Sequence, residues 1–182
     1  MRSINFQSFY LQTKRLFIQQ FRTEHITKTY LQALNQEQVV GLTEARHKVW
    51  CKKNVIEFIS QANVPDKSYL FGVFIKSSSK PIGNVRLFNL HKIHRRAELS
   101  FMFYDQEEWG KGLATEALSS IVNFAFEDMN LHRIHADYYE KNLASSRVFE
   151  KLGFEIEGIY KDHFLYQNTY VNSIRVGRIA PR

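Results

Sequence analysis

The feature that most constrains this chain is a change of period at residue 112. Before it, Leu99, Phe101 and Phe103 alternate with Glu98, Ser100 and Met102, the two-residue repeat of a strand with one apolar face. After it, Ala114, Ala117, Leu118, Ile121, Val122 and Ala125 recur at i, i+3, i+4, i+7, i+8 and i+11, the apolar stripe of an amphipathic helix. Between the two lies Asp105-Gln106-Glu107-Glu108-Trp109-Gly110-Lys111-Gly112. A strand that turns through Gly-x-Gly into a helix gathers backbone N–H groups at the positive end of the helix dipole, roughly half an elementary charge. The segment that leads from this loop into the helix is therefore a candidate anion site suited to a diphosphate.

Two well-known phosphate loops do not fit this segment. The dinucleotide loop needs a third glycine where Thr115 stands, and the nucleoside-triphosphate loop needs Lys-Ser/Thr after its last glycine, where Leu113 stands. The loop is a distinct phosphate cradle, or it serves only to tighten a turn.

The remaining periodicity predicts a mixed α/β domain over residues 1–182. A strand is expected at 15–21, a helix from Thr23 to about Leu34 capped by Thr23, and a second helix at about 44–61. Strands at 69–75 and 81–87 flank Lys76-Ser77-Ser78-Ser79-Lys80, the tip of a hairpin. Strands at 97–104, 132–138, 154–160 and within 166–179 follow, with helices from Gly112 and at 144–152, the latter capped from Asn142 and stopped at Gly153.

Composition narrows the class of partner. Residues 1–96 carry 16 basic and five acidic side chains, whereas 97–182 carry nine and 13, so the net +7 arises wholly in the first half. That surplus suits a polyphosphate ligand or nearby nucleic acid, or is simply a solvated surface, and it repels polycations at long range. No apolar run reaches the length of a membrane span and residues 1–10 do not read as an export signal, so a membrane is not expected. The lone Cys51 cannot form an intrachain disulfide and fits a reducing cytoplasm. His91, His94, His132, His135 and His163 show no ligand spacing, so no metal is expected.

A second segment is informative when read beside the glycine loop: Asn142-Leu143-Ala144-Ser145-Ser146-Arg147-Val148-Phe149-Glu150-Lys151-Leu152-Gly153-Phe154-Glu155-Ile156-Glu157-Gly158. Together with Trp109 to Ala117, Thr13-Lys14-Arg15-Leu16 and Ile82-Gly83, it resembles the GNAT superfamily of acyl-CoA-dependent N-acetyltransferases. Within that superfamily the pattern is similar to the RimJ/RimL-like branch, which acetylates ribosomal-protein N-termini, and the likeness runs over about residues 12–178.

The resemblance implies a central, mostly antiparallel twisted sheet of about six or seven strands, splayed at a cofactor cleft and flanked by about four helices. It also implies acetyl transfer from acetyl-CoA to a primary amine, with the CoA pyrophosphate on the amides of 108–114 and the pantetheine arm along 97–104. A backbone N–H of Phe101 or Met102 would polarise the thioester carbonyl, and Asn142, also a helix cap, would bond the pantetheine. Glu98 is the first candidate base, with an ion pair to Arg95, Arg96 or Arg133 as the other reading. Ser145 matches the serine that the branch places near the CoA sulfur, with a hydrogen bond to its own helix as the alternative.

Many superfamily members carry a tyrosine at the position of Phe149 as proton donor to the thiolate. Phenylalanine cannot donate, which leaves Ser145 or solvent. Glu107, beside the expected diphosphate, is expected to turn to solvent.

The acceptor is read as a protein N-terminal amine or a small amine, determined by residues 6–11, 35–42 and a turn at 161–168, with Asp162 and His163 in that turn. Ribosome association is an open expectation; Lys92, His94, Arg95 and Arg96 form a basic hairpin tip read as touching rRNA, touching the 3′-phosphate of CoA, or simply solvated, and the protein is read as monomer or homodimer. A CoA- or RNA-binding protein without chemistry is the competing class.

Overall fold

In the computed structural model, residues 6–181 are described; residues 1–5, part of the segment tested for an export signal, and residue 182 lie outside them. Eight strands form one sheet: β1 (Tyr10–Gln12), β2 (Leu16–Gln20), β3 (Tyr69–Ile75), β4 (Pro81–His91), β5 (Arg96–Phe103), β6 (Arg133–Tyr139), β7 (Glu155–Tyr166) and β8 (Thr169–Ile179). Their order is β1-β2-β3-β4-β5-β6-β8-β7, antiparallel throughout except for the parallel β5–β6 pair. The count exceeds the expected six or seven because β1 adds an edge strand to β2.

Five α-helices accompany the sheet: α1 (Lys28–Ala33), α2 (Glu37–Val40), α3 (Lys52–Ala62), α4 (Leu113–Glu127) and α5 (Leu143–Lys151). The stripe read from the sequence is the buried face of α4, where Ala117, Leu118, Ile121, Val122 and Ala125 are fully enclosed against the sheet. Each large aliphatic chain there contributes about 1.5–3 kcal/mol of burial. A smaller cluster on the opposite face packs α1 and α3 against Leu70 and Tyr104, and no residue of β6, β7 or β8 is among its buried members.

Both N-terminal helices are shorter than expected. Thr23–His25 is a single 3₁₀ turn, and α1 starts afresh after Thr27, whose hydroxyl accepts the Tyr30 N–H at 3.0 Å; the cap is Thr27, not Thr23. The second helix is broken between the 3₁₀ turn Glu44–His47 and α3 because Asn35 holds the Trp50 backbone extended. Asn35 accepts from Trp50 N at 2.8 Å and donates to Trp50 O at 2.9 Å.

The expected turn at 161–168 is also corrected. β7 runs on to Tyr166, Asp162 and His163 sit within it at a bulge, and the turn is the Gln167–Asn168 pair. Both turn residues have positive φ, 49° and 59°, the geometry of a tight hairpin connection. Residues 6–11 lie at the β1 edge, with β2, β3 and β4 between them and β5.

Candidate active site

β5 and β6 are registered at only three positions, Arg96 with Arg133, Ala97 with Ile134 and Glu98 with His135. Beyond Glu98 and His135 the strands part, β5 staying with β4 and β6 with β8. The fork leaves one edge of residues 99–103 without a strand partner. At its end, Tyr104 N donates to Ile82 O at 3.0 Å, toward β4. Backbone groups alternate in direction along a strand, so Met102 N–H also faces β4, while Phe101 and Phe103 N–H face the fork. Of the two expected carbonyl-polarising donors, Phe101 is the one aimed into the opening.

The glycine loop closes one end of this fork. Trp109 indole N–H donates to the otherwise unpaired Phe103 O at 2.8 Å, tying loop to strand. Gly110 and Gly112 have φ of 74° and 75°, a region that costs other residues about 1–2 kcal/mol. α4 begins at Gly112 with no side-chain cap, leaving its first amides free to meet an anion.

Arg15 reaches the same place from the start of β2. Its Nε donates to Glu116 Oε2 at 2.7 Å and Nη1 to Lys111 O at 2.9 Å, and Nη2 lies 3.8 Å from where a Cβ on Gly112 would stand. Partial burial is the largest single influence on the Glu116 carboxyl and raises it. Hydrogen bonds from the Thr13 hydroxyl and from the Arg15 backbone and guanidinium outweigh it, holding the group below its ordinary value. Nearby carboxylates are also engaged: Glu108 by Lys111 at 3.0 Å, and Asp105 and Glu107 by Lys80 at 2.6 and 3.1 Å, with Glu107 otherwise turned to solvent. Converging amides, an uncapped helix, a guanidinium and no Cβ in the way fit the diphosphate of CoA.

Opposite the loop, Asn142 caps α5 by accepting Ser145 N–H at 3.0 Å, and among the described residues the Ser145 hydroxyl has no hydrogen-bond partner. Phe149 is enclosed, with ring centroids 5.5 Å from Phe101 and 5.7 Å from Tyr138, so it bridges the two diverging strands from the α5 side.

On the other face, Glu98 is not paired with the expected arginines: Arg95 bonds Asn130 and Arg133 pairs with Glu157. Glu98 Oε2 accepts from Asn89 Nδ2 at 3.0 Å, and His135 Nε2 lies 3.8 Å from the same oxygen, within ion-pair reach but long for a direct hydrogen bond. The His135 ring is the largest influence on the Glu98 carboxyl, and with Asn89 it holds that group below its ordinary value against the opposing effect of burial. Asn89 owes its aim to a β4 bulge where φ is 51°; Asn tolerates that region better than most residues.

Farther along β6, Asp137 pairs with Arg175 at 2.8 Å, and Tyr139 stacks on Phe164 at 3.9 Å. The Tyr139 hydroxyl donates to Glu44 and accepts from Arg46 at 3.2 Å; burial, then Glu44, pushes it up to about 12. Arg46 also donates to Leu165 O, so the 3₁₀ turn after α2 is latched onto β7. Asn89, His135 and the Glu44–Arg46–Tyr139 latch have no local pattern that marks them in the sequence, whereas Arg15 stands in the Thr13–Leu16 segment that carried the resemblance but had no role assigned there. Among the described residues, no three of His, Cys, Asp and Glu converge to hold a metal ion.

The profile of the acetyltransferase (GNAT) domain matches residues 15–155, most of the chain. The protein belongs to the GNAT acetyltransferase family. Among GNAT relatives, the probable N-acetyltransferase YjcK of Bacillus subtilis (strain 168) is 35% identical over 123 residues, 68% of this chain and 65% of YjcK. Two solved structures share the fold. The ribosomal-protein-S5-alanine acetyltransferase of Vibrio fischeri superposes with a TM-score of 0.80 at 21% identity, over 95% of this chain and 97% of that one. The spermidine N-acetyltransferase of Vibrio cholerae, in complex with CoA and spermine, gives 0.79 at 20% identity over 92% and 97%.

Proposed function

We propose that this GNAT protein transfers the acetyl group of acetyl-CoA to a primary amine in a ternary complex. The observation that carries the reading is the β5–β6 fork, open between an anion cradle at one end and a carboxylate, Glu98, at the last registered pair. Acetyl-CoA, when bound, supplies an activated thioester. The amides of 108–114 and the Arg15 guanidinium hold its diphosphate, and Asn142, with Nδ2 unengaged, bonds the pantetheine. Phe101 N–H polarises the acetyl carbonyl, a contact typically worth about 3 kcal/mol of barrier. Glu98 Oε1, which has no partner among the described residues, takes the acceptor's proton directly or through one water.

The acceptor is a protein N-terminal amine, with a small monoamine as the second choice. Against a polycation, the carboxylates near the fork other than Glu98 are already engaged: Glu44 by Tyr139, Asp137 by Arg175 and Glu140 by Asn172. The charge of +7 works in the same direction. The same reading takes residues 1–182 as one domain acting in the cytoplasm, monomeric or dimeric, with the basic half available to a ribosome.

Calorimetric titration with acetyl-CoA tests the cofactor, with Gly112→Glu as the variant that places a side chain and a negative charge in the cradle. Micromolar binding lost in the variant is expected. A folded wild-type protein that does not bind acetyl-CoA would overturn the reading in favour of a binding protein, and turnover of N-terminal peptides against spermidine and small amines then ranks the acceptors.

A further inference from the structure

Acetyl transfer breaks a carbon–sulfur bond, and the sulfur leaves as a thiolate that must acquire a proton. Glu98 lies on the opposite face of the sheet and receives a proton from the amine, so a separate donor is wanted on the α5 side. Phe149, which fills that side, has none.

Tyr138 stands three residues past His135 on β6, as Phe101 stands three past Glu98 on β5, so the two flank the fork at matching distance from its last registered pair. The Tyr138 ring lies nearly parallel to Phe149, at 20°, and the Phe149 ring reaches across to Phe101. A buried tyrosine ordinarily finds a partner for its hydroxyl. Tyr30 is bonded by Asn84, Tyr69 by Asp66 N–H, and Tyr139 by Glu44 and Arg46. Tyr104 has no partner and its oxygen is sealed from solvent. Tyr138 differs from all four: it is 8% exposed, its hydroxyl has no hydrogen-bond partner among the described residues, and its oxygen is not among the sealed ones. It is an unused donor with an outlet, in the wall of the fork.

We propose that the Tyr138 hydroxyl is the proton donor to the departing sulfur, an assignment that rests on the acetyltransferase reading. As the new nitrogen–carbon bond forms and the carbon–sulfur bond breaks, the O–H proton passes to sulfur and CoA leaves as the thiol. The acceptor starts as the ammonium: Glu98 takes its first proton to give the attacking amine, the second leaves to solvent once the nitrogen–carbon bond has formed, and Glu98 and the phenolate return to their starting states by exchange with solvent, for a net release of one proton. Ser145, at the N-terminus of α5, is the competing donor.

The test uses CoA itself, whose thiolate absorbs in the ultraviolet where the thiol does not. The pH at which the bound thiol ionises is measured in wild type, Tyr138→Phe and Ser145→Ala, alongside the dissociation constant of CoA. A hydroxyl that bonds the sulfur stabilises the thiolate, so in Tyr138→Phe ionisation moves to higher pH while CoA affinity stays within about twofold, and kcat falls by about tenfold to a hundredfold. Retention of the wild-type ionisation pH in Tyr138→Phe overturns the assignment, and a shift in Ser145→Ala instead hands the role to Ser145. Because this readout needs only bound CoA, it decides the Tyr138 contact even if no amine is turned over. Absence of CoA binding by the wild type overturns both readings.

Discussion

Glu98 and His135 are the last residues of β5 and β6 in register, and their side chains meet on one carboxylate oxygen, Glu98 Oε2, which Asn89 also engages at 3.0 Å. The other oxygen has no partner among the described residues. Glu98→Gln should therefore lower turnover by about a hundredfold or more while CoA affinity is unchanged, as expected for loss of a general base. Unaltered turnover across neutral and alkaline pH would dismiss Glu98 from that role.

His135 is the largest influence holding the Glu98 carboxyl below its ordinary value. Replacing it in His135→Phe should raise the midpoint of Glu98 protonation, read from the carboxyl carbon by NMR. An unmoved midpoint would mean that the two side chains are neighbours without coupling.

Thr13 and Arg15 fasten β2 to the first turn of α4 through Glu116. Because folding lowers the Glu116 carboxyl below its ordinary value of 4.5, the stabilisation is fully present above that pH and is lost as pH falls through the lower folded value. Glu116→Gln should cost about 1–3 kcal/mol at neutral pH, the worth of hydrogen bonds to a charged group, and progressively less in acid. Urea unfolding at several pH values checks this, and a penalty independent of pH would contradict it.

Gly110 and Gly112 lie in the left-handed region, yet a Cβ at Gly110 meets nothing within 4 Å and one at Gly112 meets only Arg15 Nη2 at 3.8 Å. Alanine at either position should cost about 1–2 kcal/mol through backbone strain alone. The Gly112 variant should in addition weaken CoA, because its Cβ stands in the cradle. A loss of stability well beyond that range in chemical denaturation would point to packing that the loop does not show.

The latch of Glu44 and Arg46 on Tyr139 and β7 lies on the face of β6 that carries His135, where the proposed reading puts the acceptor. Tyr139→Phe removes the hydroxyl that joins them and keeps the stack on Phe164. Its KM for the acceptor should rise severalfold with KM for acetyl-CoA unchanged; equal effects on both would place the latch in general stability rather than acceptor binding.

The sequence by itself determined what is encoded locally. The two-residue alternation of β5, the stripe of α4, the Asn142 cap and the paired glycines each depend on residues within a turn or two of one another, and the elements stand where these patterns place them. They also carried the family resemblance. Only the tertiary structure decided the remainder, because the deciding partners are distant in the chain. Asn35 breaks the second helix from 15 residues away, and a bulge at Asn89 aims that side chain at Glu98. His135 meets Glu98 only because β5 and β6 pair in parallel across the α4 crossover, and Tyr138 flanks the fork only because that pairing stops one residue after Ala97 and Ile134. Periodicity fixes which face a side chain takes. Which strand lies beside it, and where two strands part, is a matter of register between segments that composition and spacing leave free.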